Sequence, residues 1–284
     1  MIIARTMPEL QQALKDLRRG GARVALVPTM GALHEGHMEL VRAARRHAEK
    51  VAVYIFVNPM QFAPHEDLAR YPRPFAEDVR RLEAEGVDLL YAPAAEAVYP
   101  PGFATVVSVK GVSEGMEGAF RPHFFDGVAT VLAKMFIRMM PEVAVFGEKD
   151  YQQLAVVRRM AADLDLPVEI VGVPTRREEG GTAMSSRNAY LTEQERRLAP
   201  RLYHVLCETA EALRRGGDVA ATLSGARERL IAEGFAKVDY LELRDAASLE
   251  PLAAPDREGR LLVAVWLGTT RLIDNIPLPL SSAD

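Results

Sequence analysis

Apolar residues along the first 175 positions fall into two recurring patterns. Short, largely apolar runs at residues 24–27, 51–57, 87–91, 143–146 and 168–173 predict strands, the first two of them buried. Between them, residues 37–50, 75–85, 128–139 and 151–164 repeat apolar side chains every three or four positions, the mark of amphipathic helices. In the first of these the stripe is Leu40, Val41, Ala44 and Ala48, with Arg42, Arg45, Arg46 and Glu49 off it. Pro28 is expected to stop the first strand and Gly86 to close the second helix. Repeated strand, loop and helix units predict an α/β fold: a doubly wound, Rossmann-like, mostly parallel sheet with helices on both faces.

The pattern changes after a charged, glycine-terminated loop, Arg176 to Gly181. Thr192 with Glu195 three residues on reads as a capping box, and Pro200 as the start of a further helix ended by Gly216-Gly217. A helix at 219–233 and strand-like runs at 238–243 and 261–267 follow. The expectation is two domains, a larger one over 1–175 and a smaller α+β one over 176–284.

Composition narrows the setting. The 284 residues carry 35 Lys plus Arg against 39 Asp plus Glu, a net charge of −4, which lacks the overall basic excess of a general nucleic-acid binder. One cysteine, Cys207, excludes an intramolecular disulfide framework and any Cys-rich metal site, and suits a reducing cytoplasm. No leader-like apolar segment opens the chain, and no uncharged apolar stretch reaches membrane-spanning length. No membrane role is therefore expected.

Chemistry concentrates in loops that leave strand ends, where a doubly wound sheet forms its ligand crevice. After the first strand, Gly31, His34, Gly36 and His37 lie in the stretch PTMGALHEGH. Gly36 admits close backbone approach, a helix N-terminus supplies N–H groups and positive potential, and imidazoles donate to phosphoryl oxygens. This predicts an anion site built for a nucleotide, though a capped helix with two solvated histidines fits the segment alone. The spacing of His34 and His37 excludes a zincin helix, and neither a Walker A lysine motif nor GxGxxG follows this strand. Asn58 and Gln61 follow the second strand with neutral amides suited to hydroxyls or a carboxylate. Lys149 and Asp150 open another helix, while Ser185, Ser186 and Arg187 pair hydroxyls with a guanidinium suited to triphosphate oxygens.

Four segments in order, PTMGALHEGH at 28–37, FVNPMQF at 56–62, GEKDYQQL at 147–154 and SSRNAYL at 185–191, resemble the pantothenate synthetase (pantoate–β-alanine ligase) family. His34-Glu35-Gly36-His37 stands where that nucleotidyltransferase superfamily has its HIGH-like motif. The resemblance implies ATP-dependent condensation of pantoate with β-alanine through a pantoyl adenylate, with Mg2+ held mainly by the triphosphate, in a cytoplasmic homodimer. It implies that His34 and His37 hold the phosphates and that Lys149, Ser185, Ser186 and Arg187 neutralise the departing pyrophosphate. Met30 and Gly147 would face the nucleoside, with Gly31, Gly36, Glu148, Asp150, Arg176 and Met184 completing the ATP site. Gln61 and Gln153 would hold pantoate, supported by Asn58 and Arg121, with no dedicated protein metal site. Tyr71, Glu77 and Asp78 fall in a region some relatives use around the pocket or the metal. His47, His65 and His204 have no motif support, and Cys207 reads as helix packing. The chain departs from the family pattern at Arg176-Arg177 and at Gly180-Gly181-Thr182-Ala183.

Overall fold

The computed structural model describes residues 1–63 and 66–280, so His65 lies outside the described residues. Strands β1 (Ile2–Ala4), β2 (Val24–Thr29), β3 (Lys50–Ile55), β4 (Leu89–Tyr91), β5 (Val143–Gly147) and β6 (Glu169–Val173) form a parallel sheet in the order β1-β4-β3-β2-β5-β6. The helices are α1 (Met7–Leu17), α2 (Glu35–His47), α3 (Phe75–Ala84), α4 (Ala95–Val98), α5 (Met116–Phe120), α6 (Phe124–Met139), α7 (Tyr151–Asp163), α8 (Glu193–Leu198), α9 (Pro200–Arg214) and α10 (Val219–Ala232). Strands β7 (Lys237–Asp245), β8 (Gly259–Leu267) and β9 (Thr270–Leu278) form a separate antiparallel sheet in that order.

Proximity along the backbone divides the chain into two compact units. One comprises Met1–Glu148 and Val156–Pro174; the other comprises Lys149–Ala155 and Thr175–Asp284. The start of α7 thus groups with the second unit, although it follows β5 directly.

The first unit is an α/β layer structure because its inner strands β2 to β5 have no polar face to show to water. Ala25 and Val27 of β2 join Val51 and Val53 of β3, Leu90 of β4 and Val145 of β5 beneath Met38, Val41 and Ala44 of α2 and Leu82 of α3. On the opposite face Phe146 meets Phe136 of α6 edge to face, with centroids 6.5 Å apart. Each fully buried aliphatic side chain of this kind contributes roughly 1.5–3 kcal/mol, so a slip of one position along β2 would be costly. From the central pair β2 and β5 the chain winds outward through β3 and β4 on one side and β6 on the other. Their carboxyl ends mark the switch point where such sheets bind ligands. The second unit packs Leu206, Ala210 and Leu213 of α9 and Leu230 of α10 on Leu241, Val263 and Val265.

Three differences from the pattern analysis have local causes. Strand β2 continues through Pro28 to Thr29. It pairs with β3 along its whole length, while its register with β5 ends at Leu26, so the missing N–H falls beyond that second ladder. The apolar pattern predicts no element over residues 1–20, where β1 and α1 form. The α1 signal is the Thr6 and Glu9 capping box with buried Leu10, Leu14 and Leu17, whereas β1 is three residues with Ile2 and Ile3 exposed. Strand β9 escapes because the buried pair Asp274 and Asn275 interrupts its apolar alternation.

Candidate active site

The loop from β2 into α2 places both histidines of the HEGH segment on the first turn of a helix. His34 is the N-cap: its Nδ1 accepts the Gly36 N–H at 3.2 Å. His37 reaches back, and its Nδ1 accepts the His34 N–H at 3.2 Å, with the ring centroids 4.1 Å apart. This reciprocal cap has the logic of a Ser-x-x-Glu capping box built from imidazoles. It also fixes chemistry: a neutral imidazole that accepts at Nδ1 carries its proton on Nε2. Two N–H groups expected to face a phosphate are engaged by the rings.

The turn before His34 is tightly held. Thr29 Oγ1 accepts the Gly31 N–H at 2.8 Å, and Asp78 accepts from Ala32 and Leu33 at 3.0 and 2.8 Å. Burial pushes the Asp78 carboxyl above the usual range, opposed by those two N–H donors and by Arg81.

Asn58 and Gln61 form a second cluster in the same unit. Asn58 is buried; its Nδ2 donates to Gln61 Oε1 and to the Gly127 carbonyl, both at 3.0 Å. Its Oδ1 accepts the Met60 N–H at 3.2 Å and the Tyr99 hydroxyl at 2.8 Å. Burial raises the Tyr99 phenol, which keeps it a neutral donor. The Gln61 Nε2 lies 3.3 Å from Met30 Sδ, so the first two motifs meet here. Arg121 makes a bidentate pair with Glu66, Nε to Oε1 and a terminal nitrogen to Oε2, each at 2.7 Å, and donates to the Gln61 carbonyl at 3.0 Å. It stacks on Phe124 at 3.8 Å. Its geometry braces the Gln61 segment. Gly147 and Glu148 follow at the end of β5, both half-buried.

In the second unit, the two remaining motifs share one support, the buried pair Asp274-Asn275 of β9. Asn275 Nδ2 donates to the Lys149 carbonyl at 2.8 Å, while its Oδ1 accepts from Arg260 Nε at 2.6 Å. Lys149 Nζ lies 3.8 Å from Asp150 Oδ1. Tyr151, stacked beneath Arg260 at 3.9 Å, donates its hydroxyl to the Ala246 carbonyl at 2.8 Å. Gln153 is half-buried on the first turn of α7.

Residues 176–184, which include the charged loop read from Arg176 to Gly181, form a hairpin. Met184 N–H donates to the Arg176 carbonyl at 3.0 Å, and Glu178 N–H to the Thr182 carbonyl at 2.8 Å. Arg177 forks onto Asp274 at 2.7 and 3.0 Å, donates to the Asn275 carbonyl at 3.2 Å and stacks on Tyr203 at 3.9 Å. Arg176 itself is exposed. Gly181 is required here: its φ is +104°, and a Cβ would fall 2.3 Å from the Tyr203 ring. The departure from the family pattern is therefore a packed hairpin. It delivers Ser185, whose Oγ accepts the Arg187 N–H at 3.3 Å and caps the 3-10 helix Ser186–Tyr190. Asn188 fastens that turn to Glu178 and to the Ala183 carbonyl at 2.8 and 3.1 Å.

Sequence reasoning missed Asp274, Asn275, Tyr99 and Gly127 as supports. The signal available for the first two was an adjacent polar pair inside an apolar run; the other two carried none. Among the described residues, no cluster of three His, Cys, Asp or Glu side chains could hold a metal, and no helix is long and apolar enough to cross a membrane.

The pantoate–β-alanine ligase model matches residues 2–277. The chain belongs to this family. It is 56% identical over 277 residues to the pantothenate synthetase of Rhodopseudomonas palustris strain HaA2, covering 97% of this chain and 98% of that one. It is 55% identical to the Caulobacter vibrioides pantothenate synthetase over 278 residues, with the same coverage. Among solved structures, a pantothenate synthetase from Thermus thermophilus superposes with a TM-score of 0.92 at 48% identity, over 98% of this chain and 100% of that one. A ligase from Francisella tularensis, complexed with beta-gamma ATP and beta-alanine, gives 0.83 at 31% identity over 97% of both chains. The segments PTMGALHEGH and GEKDYQQL thus leave β2 and β5 of this chain, adjacent strands of the sheet.

Proposed function

We propose that this chain condenses pantoate with β-alanine, driven by ATP, through a pantoyl adenylate. A pantoate carboxylate oxygen attacks the α-phosphorus, the bond to the bridging oxygen breaks, and pyrophosphate leaves. The β-alanine amine then attacks the acyl carbon, expels AMP and loses its extra proton. Adenylation replaces a poor leaving oxygen with a good one, so no protein nucleophile is needed.

The reciprocal histidine cap carries this reading, because it commits Nδ1 of each ring as an acceptor and so keeps the imidazole proton on Nε2. His37 and His34 donate from Nε2 to the α-phosphate region as charge shifts to the leaving oxygen. Lys149, Ser185, Ser186 and Arg187 neutralise the departing pyrophosphate. Met30, Gly31, Gly36, Gly147, Glu148, Asp150, Arg176 and Met184 complete the ATP site. Gln61 and Gln153 hold pantoate, with Asn58 and Arg121 keeping Gln61 in place. Mg2+ would arrive on the triphosphate and keep most of its water there. A cytoplasmic homodimer completes the proposal, on the family resemblance and the single cysteine.

The test omits one substrate at a time. Pyrophosphate release is expected to require pantoate but not β-alanine, and sustained AMP formation to require both. Pyrophosphate release from ATP without pantoate would sink the proposal.

A further inference from the structure

Asp78 lies on the first turn of α3 with 1% of its surface exposed. Its two carboxylate oxygens hold consecutive backbone N–H groups, Oδ2 that of Ala32 and Oδ1 that of Leu33. Those groups belong to a turn that the chain does not adopt easily. Gly31 and Ala32 have φ of 82° and 52°, and Ala32 bears the steric cost of a left-handed conformation that a β-carbon opposes. The carboxylate sits hard against the turn, since a Cβ on Gly31 would come within 3.0 Å of Oδ2. The next residue is His34, whose backbone direction decides whether its N–H meets His37 Nδ1 and its own Nδ1 meets Gly36.

We infer that Asp78 is a positioning residue for adenylate formation: by clamping the 31–33 turn it keeps His34 and His37 capping one another through Nδ1, so that each ring keeps its proton on Nε2. The inference rests on the ligase reading. Through these two bonds Asp78 acts on the histidines by way of the turn. A neutral amide cannot replace it, because an asparagine offers one acceptor oxygen and turns an NH2 group toward the other N–H.

The experiment compares wild type with Asp78→Asn in two readouts. One is the rate of pantoate-dependent exchange of pyrophosphate into ATP; the other is two-bond proton–nitrogen NMR of the six 15N-labelled histidines, which separates the imidazole tautomers. Expected is a drop in kcat of roughly tenfold to a hundredfold, the scale of a catalytic group displaced by about 1 Å. The Nδ1 resonances of His34 and His37 should at the same time lose their uniformly unprotonated pattern. Wild-type exchange in the variant overturns the inference, and so does slowed exchange with both imidazoles unchanged, which a merely destabilised fold would give. Should Asp78→Asn fail to fold, Asp78→Asn with Ala32→Gly, which relieves the left-handed strain, is judged by the same readouts. Absence of pantoate-dependent exchange in the wild type would defeat the ligase reading instead, while the NMR comparison still decides whether Asp78 holds the turn.

Discussion

At position 127 a hydrogen atom is the only side chain that fits. A Cβ there would stand 2.4 Å from the Met60 carbonyl oxygen and 2.6 Å from its carbon, and backbone cannot swing aside as a flexible side chain can. Helix α6 and the segment bearing Gln61 therefore touch backbone to backbone, and the Gly127 carbonyl receives Asn58 Nδ2 at that contact. Two effects of Gly127→Ala oppose each other. Alanine gains up to about 1 kcal/mol of helix propensity, whereas overpacking a rigid contact costs about 1–3 kcal/mol. The clash wins, and relieving it means moving residues 60 and 61. Gly127→Ala is expected to lower the denaturation midpoint and to raise KM for pantoate more than KM for ATP. Equal changes in both constants would show that Gln61 does not hold pantoate.

Among the elements, the small antiparallel sheet carries its own charge lock. Asp239 of β7 has a side chain only 3% exposed; it receives Lys237 Nζ and Arg271 Nε at 2.8 Å and Trp266 Nε1 at 3.1 Å, so one carboxylate ties all three strands. Burial alone would raise its pKa, but these donors outweigh it and hold the carboxyl below the ordinary range. A depressed folded value means that the unfolded chain binds more protons. The stabilisation is therefore full above the unfolded carboxylate range near pH 4 and is lost as pH falls through the folded value. Asp239→Asn should cost about 3 kcal/mol at pH 7, since it takes the carboxylate away from the half-buried Arg271, and the gap from wild type should close in acid. A gap that persists at pH 2 would assign the loss to packing. The elements that sequence exposes and those it hides differ in the same terms. Strands β2 to β5 and helix α2 are legible because burial on both faces writes an apolar run and burial on one face writes a stripe. The hairpin at 176–184 is not legible, because its order comes from Arg177 meeting Asp274, almost a hundred positions away. The four motifs are readable as residue types, but their supports, Tyr99, Gly127 and Asn275, act through long-range contacts that leave no local pattern.

On the scale of the whole molecule, the chain passes between its two units more than once, since Lys149–Ala155 groups with residues beyond 175 while the residues on either side of it group with the sheet of β2 and β5. The consequence is a division of labour that chain order conceals. Gln61, Asn58, His34 and His37 depend on the packing of the first unit, whereas Lys149 depends on β9, more than a hundred residues later, through the bond from Asn275 Nδ2 to its carbonyl. That bond leaves the ammonium group untouched and fixes only the backbone from which the side chain extends. Asn275→Ala removes the donor and also takes an acceptor from Arg260, so a loss of about 1–3 kcal/mol in the stability of the second unit is expected. If Lys149 neutralises the leaving pyrophosphate, the same variant should slow pyrophosphate formation. Lys149→Ala should slow that step further, and adding Asn275→Ala to it should produce no additional kinetic loss, because positioning a residue that is absent has no effect. Additive losses in the double variant would mean that Asn275 acts on the reaction by a route other than Lys149.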